Sequence, residues 1–256
     1  MTIDNNDTEQ IEITKVLGKV VVLGATGATG KLVVQELINR NHMVKAVVRL
    51  DSSLPSAISS HENVSIITGT ILEFSDEEMN ELVKDCDAVI SCLGHNITLK
   101  GMFGQPHKLV TQSIEKISDS IRNNIPNKKT KIVLMNSSGN SNRDLDESIS
   151  FTQKCVVALI RALVPPHRDN EKASDYLRGI IGQNNRDLEW VAVRPDGLVN
   201  HDQVSKYEIY PSPIRSAIFD AGEISRINVA HFMVELILNE NVWDKWKGQM
   251  PVIYNK

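Results

Sequence analysis

The strongest constraint on the fold is a glycine-spaced segment that follows an apolar run near the start of the chain. Residues 20–23 are Val-Val-Val-Leu, and the turn that follows them is Gly24-Ala25-Thr26-Gly27-Ala28-Thr29-Gly30. Residues 31–38 are amphipathic, as expected of a helix. A buried strand, a tight glycine turn and a helix therefore follow one another, which is the order that a phosphate-binding βα unit requires.

The three glycines of this turn have different mechanical roles in such a unit. Gly24 allows the sharp turn after the strand, Gly27 lets a pyrophosphate approach the backbone, and Gly30 lets the helix pack closely on the sheet. The first N–H groups of the helix, at the positive end of its dipole, then face the phosphates. We therefore predict a dinucleotide site, the alternative being an ordinary βα turn that binds nothing.

Charge and composition narrow the class of protein. Among the 256 residues, Lys and Arg total 28 against 32 Asp and Glu, so there is no basic excess that would indicate nucleic acid. The histidines are scattered, and no metal-ligand spacing occurs among the three cysteines, Cys86, Cys92 and Cys155. Residues 1–15 lack the apolar core of a signal peptide, and the longest apolar run is too short to cross a bilayer. We expect a soluble cytoplasmic protein without metal or membrane partner.

Strands and helices alternate along the first half of the chain. The apolar runs predict strands at 20–23, 43–48, 64–68, 87–93, 131–135 and 188–193. Helices are predicted at 29–41, 76–84 and 105–124, with a Ser-rich loop at 50–61. This alternation predicts an α/β fold with a doubly wound, mostly parallel, Rossmann-like sheet.

The second half is less regular and predicts a small substrate-side elaboration. Its predicted helices cover 147–164 and 228–238, and between them Asp169 is predicted to cap a further helix. Extended segments are predicted at 207–213 and 223–226, with an edge strand at 251–254. We interpret 1–15 as a flexible leader and 16–256 as a single domain.

Ligands of a doubly wound sheet lie across the carboxyl ends of its strands. The second strand ends at Arg49, and an arginine there accepts the 2′-phosphate of NADP where a carboxylate would hold the ribose of NAD. Ser52 adds a hydroxyl donor. A solvated surface arginine is the alternative interpretation of Arg49.

The other strand ends supply further candidates. Thr70 and Ile71 are placed to flank the adenine, and Leu93 and Gly94 the ribose on the nicotinamide side. The candidates nearest the nicotinamide are Ser137, Pro195 and Asp196, with plain turn chemistry as the alternative for the serine and the aspartate. His95 is either a proton donor or an ordinary loop histidine.

Four segments together resemble the atypical short-chain dehydrogenases/reductases, and within them the NAD(P)H-binding, NmrA-like group that includes biliverdin/flavin reductase. They are residues 24–30, 47–49, 191–195 and 224–230, and the resemblance extends over about 18–254. It implies that NADP contacts Gly24, Thr26, Gly27, Thr29, Arg49, Ser52, Leu93, Gly94 and Ser137. Thr70 stands where the family has an aspartate beside the adenine.

The wider superfamily uses a Tyr-x-x-x-Lys pair for proton transfer, and none of the four tyrosines has a lysine at that spacing. We therefore expect an NADPH-dependent oxidoreductase that transfers hydride to a small conjugated or carbonyl acceptor, such as a flavin, quinone or tetrapyrrole. Ser137 is its candidate catalytic residue. The alternative is a non-catalytic, NADP(H)-sensing regulatory protein with a protein partner. A sugar-nucleotide epimerase is disfavoured, because such enzymes usually keep the missing pair.

Overall fold

The computed structural model describes residues 18–95, 104–147 and 151–256, without the side chains of 151, 153–155, 160 and 162. Its strands are β1 (Lys19–Leu23), β2 (Met43–Val48), β3 (Val64–Thr68), β4 (Cys86–Ser91), β5 (Thr130–Met135), β6 (Leu188–Pro195), β7 (Gly197–Val199), β8 (Tyr207–Tyr210), β9 (Glu223–Ser225) and β10 (Val252–Asn255). Its helices are α1 (Gly30–Asn39), α2 (Ser56–Ser59), α3 (Asp76–Val83), α4 (Leu109–Asn124), α5 (Phe151–Leu163), α6 (Pro165–Tyr176), α7 (Arg226–Leu238) and α8 (Glu240–Trp246). A π-helical turn, Leu177–Ile181, continues α6. The predicted leader lies outside the described residues.

Eight strands form one sheet in the order β3-β2-β1-β4-β5-β6-β10-β8. All neighbouring pairs are parallel except β10 and β8, which run antiparallel. The predicted doubly wound, Rossmann-like sheet is therefore confirmed. The strand order reverses between β1 and β4, so this is where the sheet opens a crevice for a ligand.

Alternating residues of β1 face the two core layers. Val20 and Val22 pack with α1, α7 and α8, whereas Val21 and Leu23 pack with α3, α4 and the π-helical turn. All four side chains are buried. A strand buried on both faces explains why the apolar run at 20–23 is continuous rather than alternating with polar residues.

Three parts of the sequence-based prediction were wrong in detail. The stretch 50–61 was predicted as a loop, but it contains the helical turn α2, for which Pro55 fixes the preceding backbone. Strand β10 was predicted at an edge, but it lies inside the sheet because β8 covers it. Asp169 was predicted to cap its own helix, but α6 begins at Pro165, where a proline without an N–H costs nothing.

Behind the carboxyl ends of β5 and β6, a buried arginine ties the C-terminal part together. Arg194, whose side chain is fully buried, forms a 2.7 Å ion pair with Glu147. Its other N–H groups donate to backbone carbonyl oxygens of Asn140, Pro211 and Met250. One guanidinium thus holds the loop after β5, the segment after β8 and the approach to β10 in one arrangement, with every bond charge-assisted.

Candidate cofactor site

A cleft opens at the crevice between β1 and β4, as the strand order requires. Several residues predicted to bind cofactor line it: Gly24, Thr26, Gly27, Arg49, Thr70, Ile71, Leu93 and Gly94. Further described lining residues include Gln105, Pro106 and Leu109 at the start of α4 and His95 after β4. His95 was a candidate from the sequence, whereas Gln105, Pro106 and Leu109 were not, because their approach to the glycine turn depends on the tertiary fold.

The glycine turn leaves no room for side chains at two of its three glycines. Gly24 has a φ of +70°, and an added Cβ would lie 2.7 Å from the carbonyl oxygen of Cys92. A Cβ on Gly30 would collide with the carbonyl oxygen of Gly24. Gly27 is exposed at the mouth of the turn, where its N–H donates to Gly24 O at 3.0 Å. The close helix–strand packing and the open approach expected of a pyrophosphate site are both present.

The N-terminus of α1 is available to an anion. Thr29, its N-cap residue, makes no side-chain capping hydrogen bond, and the first turn contains no acidic residue. The Thr29 side chain is buried and its carbonyl oxygen accepts from Leu32 N and Val33 N, whereas Ala28 is exposed. Of these residues, Ala28, Thr29 and Gly30 shape the turn without lining the described cleft. A helix end without its own cap fits phosphate.

Space is open at the end of β4. An added Cβ on Gly94 would meet nothing within 4 Å.

Cys92, which also lines the cleft, is buried, and burial raises the pKa of its thiol to about 12. The thiol therefore stays protonated at neutral pH and is no nucleophile.

Arg49 lines the cleft with an exposed side chain, 58% accessible. Its Nε lies 3.6 Å from a carboxylate oxygen of Asp51, also exposed, and the Ser52 hydroxyl donates to that same carboxylate. Ser52 itself is not a lining residue of the described cleft. Exposed pairs of this kind contribute only about 0–1 kcal/mol, so Arg49 can exchange Asp51 for a phosphate at little cost.

The predicted residues at the ends of β5 and β6 lie outside the described cleft lining. Asp196 accepts from Ser138 Oγ and from Gly222 N, both at 2.9 Å, so its two oxygens are already engaged. Ser137 Oγ accepts from Gly139 N at 3.2 Å, and the carbonyl of the buried Pro195 accepts from Ser138 N. Their contact with a nicotinamide stays a prediction.

A polar pair that sequence reasoning missed lies beside the cleft. His95 Nε2 is 2.9 Å from Asp169 Oδ2, although 74 residues separate them in the sequence. The Asp169 carboxylate also accepts from Val110 N and Thr111 N at the start of α4. Asp169 therefore caps α4 rather than its own helix, and no local signal in the sequence distinguishes these two roles.

Three of the four tyrosine hydroxyls have partners away from the cleft, and the buried hydroxyl of Tyr254 has no hydrogen-bond partner among the described residues. Tyr176 accepts from Arg122, Tyr207 lies 2.8 Å from His231 Nδ1, and Tyr210 donates to Glu208. Burial raises the pKa of Tyr207 to about 12. No tyrosine is among the described lining residues of the cleft, and no group of metal-ligating side chains occurs in the described residues.

A family model described as NAD(P)H-binding matches residues 24–240, a span that includes the glycine turn and β6. The chain belongs to this NAD(P)H-binding family. The sequence-based assignment to the atypical short-chain dehydrogenases/reductases is thereby confirmed. NAD(P)H binding and an oxidoreductase-type fold are the properties that follow for the chain.

Individual relatives agree with this family. An uncharacterised chloroplastic protein of Arabidopsis thaliana is 25% identical over 224 residues, which are 87% of this chain and 72% of that protein. A short-chain dehydrogenase/reductase of Veillonella parvula in complex with NADP superposes with a TM-score of 0.68 at 15% identity, covering 93% of this chain and 94% of that one. The oxidoreductase ylbE of Lactococcus lactis superposes with a TM-score of 0.65 at 16% identity, covering 93% and 91%.

A Streptococcus pneumoniae protein provisionally named an NADH-flavin reductase has a TM-score of 0.61 at 19% identity, covering 93% of this chain and 100% of that one. At these identities the solved structures establish the shared fold. Within the described residues, no helix has the length and apolar character needed to traverse a bilayer. The predicted cytoplasmic location stays a prediction.

Proposed function

We propose that this protein is an NADPH-dependent reductase that transfers hydride to a small conjugated or carbonyl acceptor, such as a flavin, a quinone or a tetrapyrrole. The observation that carries the proposal is a cleft lined by Gly24, Thr26 and Gly27 of the turn that leads into an uncapped helix N-terminus, and by the exposed Arg49. The first matches a pyrophosphate and the second a 2′-phosphate. The family assignment supports binding of a nicotinamide nucleotide but does not distinguish NADP from NAD, so the proposed preference for NADP is argued from Arg49.

The bound nicotinamide would supply the hydride. The chain's residues would bind and orient the cofactor: the turn from Gly24 to Gly30 and the start of α1 would hold the phosphates, and Arg49 would hold the 2′-phosphate. Ile71 and Leu109 give the cleft apolar walls, and Gly94 lines it beside open space. Since a conjugated acceptor takes hydride once it is positioned against the ring, this arrangement requires no tyrosine–lysine pair.

Replacing Arg49 by alanine tests the cofactor preference. A hydrogen bond to a charged group contributes about 1.5–3 kcal/mol, so Arg49→Ala should weaken NADPH binding by roughly 10- to 150-fold. Since Arg49 is exposed, we expect the lower end of that range, with NADH affinity nearly unchanged. Calorimetric titration with both nucleotides measures this.

Arg186→Ala is the matched control for this substitution. Arg186 is also an exposed arginine beside an aspartate, 3.3 Å from Asp187, but it precedes β6 at the opposite end of the sheet. It should leave both affinities unchanged. Equal losses of NADPH and NADH affinity in Arg49→Ala would mean that Arg49 does not recognise the 2′-phosphate.

Turnover separates the reductase from the alternative, an NADP(H)-sensing regulatory protein. Purified full-length protein is mixed with NADPH and a panel of flavins, quinones, tetrapyrroles and aldehydes, and NADPH oxidation is followed by its absorbance. The proposal predicts enzyme-dependent oxidation with at least one acceptor. Tight NADPH binding without oxidation by any acceptor class would reject the reductase and favour the sensor.

A further inference from the structure

His95 and Asp169 form a buried pair at the wall of the cleft. Their side chains are 6% and 0% exposed, and His95 is itself a lining residue of the cleft beside Gly94. His95 comes from the end of β4 and Asp169 from the second turn of α6. The fold therefore holds an imidazole at the carboxyl end of the sheet, where the reacting part of a ligand lies in doubly wound folds.

The surroundings of Asp169 decide which nitrogen of His95 carries hydrogen. Its carboxylate accepts from Val110 N at 2.8 Å, from Thr111 N at 3.0 Å and from Thr111 Oγ1 at 2.6 Å. Burial alone would raise the pKa of Asp169, but hydrogen bonds from His95, Thr111 and the backbone hold it below the usual value. An ionised carboxylate only accepts, so His95 Nε2 must donate, and Nδ1 is the nitrogen that remains for another partner.

We propose that His95 donates the proton that completes reduction of the acceptor, and that Asp169 positions it. The proposal rests on the reductase function proposed above. In the overall step, the acceptor gains a hydride, which is two electrons and one proton, from NADPH at one atom. It gains a second proton from Nδ1 of the His95 imidazolium at its oxygen or nitrogen. The products are the reduced acceptor, NADP⁺ and neutral His95, which regains a proton from solvent.

The competing explanation is that Asp169 only caps α4 and His95 only fills space. Capping needs the carboxylate and the two N–H groups of α4, and these bonds are complete without an imidazole. A buried histidine that is hydrogen-bonded to a carboxylate and also lines the cleft adds something that a cap does not require. A carboxylate that orients an imidazole through one nitrogen leaves the other for proton transfer, as in catalytic acid–base pairs.

His95→Gln is the test variant. Glutamine keeps an N–H that can donate to Asp169, but its amide does not transfer protons near neutral pH. His231→Gln is the matched control, because His231 is also a partly buried histidine with one hydrogen-bond partner, Tyr207, and it lies on α7 away from the cleft. Thermal melting of both variants confirms that each is folded before kinetics are measured.

We expect His95→Gln to lower kcat by about 10²–10⁴-fold, the usual contribution of general acid catalysis, with NADPH affinity within about twofold of wild type. The wild-type rate should fall as pH rises, because the donor must be protonated. Among the described residues, the charged group in contact with His95 is Asp169 of α6. Thr111 of α4, which hydrogen-bonds to Asp169, is neutral. In His95→Gln that high-pH decline should vanish, whereas His231→Gln should keep both rate and profile.

A second readout does not depend on turnover. Nitrogen-15 NMR of the histidines in the wild-type protein should show His95 with hydrogen on Nε2, and binding of NADP⁺ should shift its Nδ1 resonance. Asp169→Asn should lower kcat more than it changes KM and should remove the preference for that single tautomer. A structural role alone would leave the tautomer and the pH profile of the folded variants unchanged.

The outcomes separate this proposal from the reductase function. Full activity and an unchanged pH profile in His95→Gln would overturn the role of His95 and leave the reductase intact. Hydrogen on Nδ1 of neutral His95, with Nε2 accepting, would also overturn it. Absence of turnover in the wild type with every acceptor would overturn the reductase, and the proton donor with it.

Discussion

The two sides of the cleft region differ in whether their polar groups already have partners within the protein. On the nucleotide side, the start of α1 has no side-chain cap and Arg49 has only an exposed, weak ion pair. Behind the ends of β5 and β6, Asp196 is engaged at both oxygens and Arg194 is buried with charged and carbonyl partners. One side leaves hydrogen-bonding groups for a ligand, and the other uses them within the protein.

This difference indicates how the chain divides recognition from support. Exposed groups at the turn are cheap to leave unpaired because water solvates them until a ligand arrives. Buried groups behind β5 and β6 must be paired, since an unpaired buried polar atom is costly. Removing a polar side chain on the nucleotide side should therefore change mainly affinity, and removing a buried one on the support side should change mainly stability.

The largest expected effect is on the support side. Arg194→Met removes one partner of a buried pair and leaves Glu147, 3% exposed, without its charge partner. Breaking a buried pair in this way costs about 3–5 kcal/mol, and urea unfolding should record a loss of that size. Arg186→Met, at an exposed pair, should stay within about 0.5 kcal/mol of wild type. A loss of unfolding free energy below about 1 kcal/mol for Arg194→Met would contradict the contrast between the buried and the exposed side.

Gly30→Ala should have the second largest effect. It sharpens the comparison because it lowers stability on the nucleotide side through packing and not through a polar group. The new Cβ would collide with the backbone oxygen of Gly24, which cannot move without shifting the strand end. We expect a loss near the upper end of the usual range of about 1–3 kcal/mol for overpacking. Gly179→Ala is the control, since a Cβ there meets nothing within 4 Å. Equal melting temperatures for the two variants would be inconsistent with this packing.

Ser137→Ala should have the smallest effect. Its hydroxyl accepts from Gly139 N and is predicted to orient the nicotinamide amide or the acceptor. One positioned hydrogen bond contributes about 0.5–1.5 kcal/mol, so turnover should slow only a few-fold to about tenfold in steady-state kinetics. A decrease in turnover of more than about a thousandfold would mean that the essential chemistry takes place at the end of β5 and not at the wall of the cleft.

The parts of the site that were predictable from sequence depend on local signals. A continuous apolar run before Gly24 and an amphipathic stretch after Gly30 lie within about twenty residues, so strand, turn and helix follow from short-range patterns. The pair His95 and Asp169 depends on α6 lying beside the segment that follows β4, 74 residues away in the sequence, which no local pattern encodes. The interior position of β10 likewise depends on β8 pairing with it at long range.

Nucleotide binding at the glycine turn is the central claim, and titration of NADPH at low salt tests it most directly. Full-length wild type is compared with Gly27→Asp and Gly27→Asn, which add side chains of similar size at an exposed position and differ by one charge. We predict saturable binding of one NADPH per chain to the wild type. The aspartate variant should bind about tenfold or more weakly than the asparagine variant, because its carboxylate repels the pyrophosphate. Absence of binding to the wild type, or equal affinities for the two variants, would contradict the account.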